Sequence, residues 1–193
     1  MKIDTQILKH HIHKKYMSTD IAQPTYAVAI ILSDNQELLF IERAVREGDN
    51  WSGQMAFPGG KKEDSDSGLE FTAMRETNEE VGIHLQAKDC LGGLLDIQLR
   101  KRGLLVPGTL CSFVFTSKET KFILDSNEVE NAYWIPVAYL SNPKNIGEYI
   151  FQRENVKMNL PCIEFEGKKI WGLTFQLLQH FLGAYAAAAG QLK

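Results

Sequence analysis

Only three of the 193 residues are cysteine, and Cys90, Cys111 and Cys162 stand apart with no Cys-x-x-Cys spacing. That excludes a disulfide framework and fits a reducing cytosol. Proline is sparse at 6 residues, and no low-complexity linker or internal repeat interrupts the chain. Neither sign of charge dominates: 21 Lys+Arg stand against 24 Asp+Glu, a net −3. A mildly acidic whole argues against a nucleic-acid coat, although a local basic groove is still open. Disordered and collagen-like classes are excluded by 44% hydrophobic content and the missing period.

The start, Met1 to His10, lacks an apolar stretch of signal-peptide length, and Asp4 is out of place in a transit peptide. The end, Gln191 to Lys193, is no organelle address. With the isolated thiols, this leads us to expect a cytoplasmic protein. Trp171 to Gly190 is 20 residues without a formal charge, which is long enough to span a membrane. Gln176, Gln179 and His180 interrupt it, and Leu173, Leu177, Leu178, Phe181, Leu182 and Tyr185 recur at helical spacing. An amphipathic core helix over about 172–187 is expected, and no membrane partner. His10, His11 and His13 could form a metal clip, but without nearby cysteine or carboxylate partners they read as a solvated terminal cluster.

The apolar run Tyr26 to Leu32 reads as a buried strand closed by Ser33-Asp34-Asn35, with Glu37 to Arg43 as its hairpin partner. Residues 44–56 read as loop, and Phe57-Pro58-Gly59-Gly60 as a tight turn. Ser67 and Glu70 match a capping box. The following helix would bury Leu69, Ala73, Met74, Thr77 and Val81 and stop at Gly82. Further strands are expected at 91–99, 109–116 and 131–135, with a short helix after Pro136. These elements compose a layered α/β domain. We expect a short helix or arm over 1–21, a core over 22–140, and an extension over 141–193 whose terminal helix packs on the core.

Within that helix Glu76, Glu79 and Glu80 stand at relative positions 0, 3 and 4 and project from one face. Like charges so spaced destabilise a helix by a few tenths of a kcal/mol, about 0.2–0.5 per pair, so helix stability alone does not select them. A divalent cation removes the repulsion, and oxygen-only ligands point to Mg²⁺ first and Mn²⁺ second. A solvated acidic face is the competing reading. The adjacent glycine turn favours the cation, because its backbone amides suit a phosphorylated substrate. Residues 63–80 carry a local charge of −6, which leaves +3 on the rest of the chain.

The stretch Gly60 to Ile83 resembles the Nudix box. Arg75, Glu76, Glu79, Glu80, Gly82 and Ile83 match its second half. Its first half departs: Asp66 stands where the box has Glu, one extra residue separates it from Arg75, and Thr77 replaces an apolar residue. Gly53 to Gly60 and Leu39 to Ala44 resemble the coenzyme A pyrophosphatase branch of the superfamily. That branch's next Arg is out of register, with Gly48 in its place and Arg46 displaced. Ile170 to Thr174 is a weaker echo.

The resemblance implies a Nudix fold, an α/β/α sandwich with a mixed sheet and a central carboxylate-bearing helix. It also implies metal-dependent hydrolysis of a pyrophosphate joining a nucleoside to another group. Glu76, Glu79 and Glu80 are the implied metal ligands, and Arg75 the residue that bridges and orients them. Glu128, six residues before Trp134, is the implied base or extra ligand, with Glu79 as the alternative base. The carbonyl of Gly59 or Gly60 can complete the metal shell, and Arg43 and Lys61 can meet substrate phosphates. Arg100-Lys101-Arg102 reads as a solvated hairpin tip or as a contact for an extra phosphate. Trp51, Phe57 and Tyr133 read as packing residues or as a base-stacking surface. The implied substrate is coenzyme A or acyl-coenzyme A. Alternatives are ADP-ribose, a dinucleotide or a damaged nucleotide, or a non-catalytic Nudix-fold binding module. A small-molecule nucleotide is the expected partner, for a monomer or homodimer.

Overall fold

A computed structural model describes residues 3–12, 25–47, 51–101, 104–153 and 156–190. His13, Gly48 and Arg102, and most of the segment expected as an N-terminal arm, lie outside the described residues.

The Tyr26 to Leu32 run forms β1 (Thr25–Ser33), and its partner is β2 (Glu37–Arg43). The middles of both strands, 27–32 and 38–41, are apolar on both faces because both faces are covered, as a central strand requires. Ile30, Leu32, Leu38 and Phe40 join one core cluster, whereas Ala27, Ala29, Ile31, Leu39 and Ile41 join the other. The alternation is the period-2 geometry of a strand. β3 (Met55–Ala56) pairs with β2 and β4 (Gly59–Lys61) with β1. Residues 55 and 56, read as loop from the sequence, therefore add a short edge strand.

β5 (Cys90–Lys101), β6 (Leu104–Ser117) and β7 (Val129–Pro136) complete a seven-stranded mixed sheet. β1 and β6 run parallel from Thr25↔Thr109 to Ser33↔Ser117, and the other pairs are antiparallel. The short helix α3 (Val137–Leu140) starts directly after Pro136.

One face of the sheet carries α2 (Leu69–Val81), which buries Leu69, Ala73 and Val81 in the second cluster. The other face carries α1 (Thr5–His11) and α4 (Gly172–Gly190). Leu8, Leu177, Leu178 and Phe181 are buried there against Ile30, Phe40 and Val114. The result is the α/β/α sandwich with a mixed sheet. No helix among the described residues is long and apolar enough to cross a membrane.

Residues 141–169 supply β8 (Ile146–Arg153), β9 (Val156–Phe165) and the start of β10 (Lys168–Trp171), a separate three-stranded sheet. It is tied to the main sheet through Glu42 on β2, which is buried and accepts from Lys168 Nζ, from Asn131 Nδ2 at 3.2 Å and from the Tyr133 hydroxyl at 3.2 Å. Burial works to raise the Glu42 pKa, and these three donors outweigh it, so the carboxyl lies below its ordinary value.

Candidate active site

The start of α2 differs from the capping box expected at Ser67 and Glu70. The N-cap is Gly68, and no side chain caps it. The reason lies one turn earlier. Asp66 N–H donates to the Glu63 carbonyl at 3.1 Å, and Glu63 N–H donates to Asp66 Oδ2 at 2.9 Å. This closed turn places the helix start one residue later than the box needs. The Asp66 side chain instead accepts from the Thr72 hydroxyl at 2.9 Å.

Asp66 also takes the guanidinium of Arg75 as a fork, with Nε to Oδ1 at 2.9 Å and Nη2 to Oδ2 at 3.0 Å. Its side chain is 0% exposed. The Arg75 fork, helped by the Glu63 amide and Thr72 and opposed by burial, holds the Asp66 carboxyl at about 2. Arg75 is raised in turn, chiefly by Asp66.

Arg75 is the hub of the helix face. Nη1 donates to Glu79 Oε2 at 2.8 Å, Nη2 donates to the Lys61 carbonyl at 3.2 Å, and Nη2 lies 3.0 Å from Glu76 Oε1. Glu79 is thereby drawn toward Arg75 and stays 50% exposed.

Glu76, while in contact with Arg75, and Glu80 both reach toward the glycine turn. Gly59 N–H donates to Glu80 Oε2 at 2.9 Å. Gly59 has φ +151°, and a Cβ there would meet the Ala27 carbonyl oxygen at 2.2 Å. Only glycine permits that approach to β1. A Cβ on Gly60 would stand 2.3 Å from Glu76 Oε1, so this second glycine leaves room for a carboxylate. Burial pushes the Glu80 carboxyl up to about 8, against the opposing Gly59 hydrogen bond. Burial also raises Glu76, with Arg75 opposing it.

Glu128 arrives from the turn before β7. Carboxylate oxygens of Glu76, Glu80 and Glu128 lie within 4.8 Å of one another, the one such metal-capable group among the described residues. The turn hangs from the helix, because Asp125 N–H donates to the Glu80 carbonyl at 3.1 Å. Glu79 stands outside this group of three.

Arg43 ends β2 and lies close enough to Glu80 to favour its ionised form. Lys61 is exposed at the end of β4. Phe57 is buried and stacks on Phe40 at 4.7 Å between ring centroids, so it is a core residue. Tyr133 spends its hydroxyl on Glu42, and Trp51 is 58% exposed. Arg100 and Lys101 lie at the β5–β6 tip, where Lys101 pairs with Leu104. Among the cysteines, Cys90 is pushed up to about 12 by burial, and burial raises Cys162 as well.

Two contacts were not assigned from sequence. Asp66 was visible only as a departure from the box, and no periodicity links it to Arg75. Arg46, visible only as a displaced arginine, reaches the Glu128 turn 81 residues away.

A protein of Schizosaccharomyces pombe designated uncharacterized protein C14C4.10c is 36% identical over 131 residues, 66% of this chain and 40% of its own length. The human mitochondrial coenzyme A diphosphatase NUDT8 is 28% identical over 155 residues, 80% of this chain and 65% of its own. The chain thus spans less than two thirds of either relative. A crystal structure of a MutT/nudix family protein from Enterococcus faecalis superposes with a TM-score of 0.56 at 16% identity, covering 92% of this chain and 66% of that one. This supports the fold. The NUDIX domain profile matches residues 23–153, which include every carboxylate of the cluster, and the chain therefore belongs to the Nudix family.

Proposed function

We propose that the chain is a pyrophosphohydrolase that uses a divalent cation, Mg²⁺ with Mn²⁺ as substitute, and acts on coenzyme A or acyl-coenzyme A. The observation that carries the reading is the convergence of Glu76, Glu80 and Glu128 within 4.8 Å. Three carboxylates so close repel each other, and an oxygen-only donor set fits a hard divalent ion. Burial first, and the neighbouring carboxylates after it, raise Glu76 and Glu80. These three residues would hold the ion, with Glu79 beside them as a further ligand or as the base. A bound cation supplies charge neutralisation on the pyrophosphate and a more acidic water.

The chain's own groups have separate tasks. Arg75 orients Glu79 at 2.8 Å, which leaves that exposed carboxylate to take a proton from the attacking water. Glu128 is the alternative base. Arg43 and Lys61 supply positive charge for phosphate oxygens, and Gly59 fixes Glu80. The water oxygen bonds to one phosphorus, the bridging P–O bond breaks, and the bridging oxygen leaves with the other phosphate. Coenzyme A would yield 4′-phosphopantetheine and 3′,5′-ADP. The substrate reading draws on the human relative's name and on the Gly53 to Gly60 stretch.

The test is turnover with Mg²⁺ on a panel of coenzyme A, acyl-coenzyme A, ADP-ribose and dinucleoside polyphosphates, with products read by mass. Coenzyme A products are expected, and Glu79→Gln or Glu80→Gln should abolish them without unfolding the chain. Unchanged turnover in both variants sinks the site. Turnover of another substrate alone sinks the coenzyme A reading, and binding without turnover would identify a non-catalytic module.

A further inference from the structure

Glu128 is the outlier of the carboxylate group. Glu76 and Glu80 are set by one helix, whereas Glu128 comes from a turn and its side chain is 43% exposed. Something must hold that turn in register. On the helix side, the Asp125 amide bonds the Glu80 carbonyl. Inside the turn, Glu128 N–H donates to the Asp125 carbonyl at 2.9 Å and Asn127 N–H donates to Asp125 Oδ1 at 2.9 Å. On the far side stands the segment after β2. Ala44 N–H donates to the Glu128 carbonyl at 2.9 Å. Arg46 donates through Nε to the Asn127 carbonyl at 2.7 Å and through Nη2 to the same oxygen. The same Nη2 lies 3.5 Å from Glu128 Oε1. Arg46 is itself tethered, because its N–H donates to Ser52 Oγ at 2.8 Å and that hydroxyl donates back to the Arg46 carbonyl at 2.9 Å.

We infer that Arg46 is a positioning residue that holds the Asn127–Glu128 peptide so that the Glu128 carboxylate stays within reach of Glu76 and Glu80, an inference that rests on reading those three residues as the cation site. The hold is through the backbone carbonyl. The direct contact with Glu128 is long, and both side chains are nearly half exposed, at 45% and 43%. An exposed pair of that kind contributes little. Two charge-assisted bonds onto one carbonyl restrain the turn more firmly. The arginine's positive charge opposes a cation at Glu128, so the sign of the effect decides between placement and charge. If placement dominates, removing the guanidinium weakens cation binding. If charge dominates, removing it strengthens binding.

The experiment measures Mn²⁺ binding to the full chain by calorimetry, without nucleotide, for wild type, Arg46→Gln, Glu128→Gln, the double variant and Glu80→Gln. Melting temperatures in chelator are recorded alongside. Arg46→Gln should weaken Mn²⁺ about tenfold, the lower end of what lost outer-shell partners cost. Its melting temperature in chelator should match wild type. On the Glu128→Gln background it should add nothing, because it acts through Glu128. Wild-type or tighter Mn²⁺ affinity in Arg46→Gln overturns the inference, as does a loss that adds fully to that of Glu128→Gln. A raised nucleotide KM at unchanged Mn²⁺ affinity also overturns it, making Arg46 a substrate contact. The site reading is checked separately by Glu80→Gln. If that variant binds Mn²⁺ as wild type does, the cation site falls and this inference with it. If it loses Mn²⁺ while Arg46→Gln does not, only the inference falls.

Discussion

Asp66→Asn is the perturbation that separates a structural clamp from a decorative ion pair. Asp66 is fully enclosed and accepts from four groups: Arg75 Nε, Arg75 Nη2, the Thr72 hydroxyl and the Glu63 amide. Asparagine keeps one acceptor oxygen, and its NH₂ must then face an Arg75 N–H, donor against donor. The lowering of the Asp66 carboxyl from 3.8 to about 2 corresponds to on the order of 2 kcal/mol at neutral pH. A buried donor left unmatched costs about 1–3 kcal/mol more. Part of this is recovered as Arg75 leans on Glu76 and Glu79. We expect Asp66→Asn to lose about 2–4 kcal/mol in urea unfolding with an unchanged m-value. For a chain of this size that is a fall of about 5–15 °C in Tm. Because the folded carboxyl is lowered, its stabilisation is complete above 3.8 and is lost as pH falls toward 2. The wild type should therefore converge on the variant below about pH 3. A variant within about 0.5 kcal/mol of wild type at pH 7, or a gap that persists to pH 2, would refute the clamp.

Two further outcomes follow from the glycine turn and the buried carboxylate. Gly60→Ala places a Cβ 2.3 Å from the movable end of Glu76, so the fold should survive while Mn²⁺ affinity falls at least about tenfold; calorimetry beside a melting curve checks both, and retained affinity contradicts the packing argument. Glu80 stands at about 8, and a cation binds its ionised form, so Mn²⁺ affinity should fall by up to about tenfold per pH unit below that value; affinity flat between about pH 6.5 and 8 would refute a ligand that titrates there.

The parts of the fold readable from sequence are those governed by one period. The Tyr26 to Leu32 run signals a strand covered on both faces because neither parity admits a polar side chain. The carboxylates of α2 are readable because helix geometry alone puts 76, 79 and 80 on one side. Gly82 is readable as a stop, and it does take a left-handed φ of 72° with its amide on Asn78. The capping box misled because a side chain can cap only if the chain enters the helix there, and the Glu63–Asp66 turn moves the entry to Gly68. The extension was hard to read because β8 to β10 form a second sheet attached by contacts distant in sequence, among them Glu42 with Lys168, 126 residues apart, and Ile163 and Ile170 in the main core. The convergence of Glu128 on α2 depends likewise on contacts across the chain, from Glu80 and Arg46, which no local pattern encodes.

The division of labour among the glutamates is set from outside the helix. Positions 75 and 79, and positions 76 and 80, form two i,i+4 ladders on neighbouring stripes of α2. Helix geometry makes both ladders but does not say which one faces the glycine turn, where Glu80 takes the Gly59 amide and Glu76 lies 3.0 Å from Arg75. Arg75 draws Glu79 aside while still touching Glu76, and Asp66 decides where Arg75 sits. The departures in the first half of the box then read together. Aspartate is one methylene shorter than glutamate, and the chain between it and Arg75 is one residue longer. With both changes present the carboxylate still reaches the guanidinium fork at 2.9 and 3.0 Å. The altered half of the motif therefore supplies the carboxylate that seats Arg75, which in turn contacts Glu76 and Glu79 of the intact half.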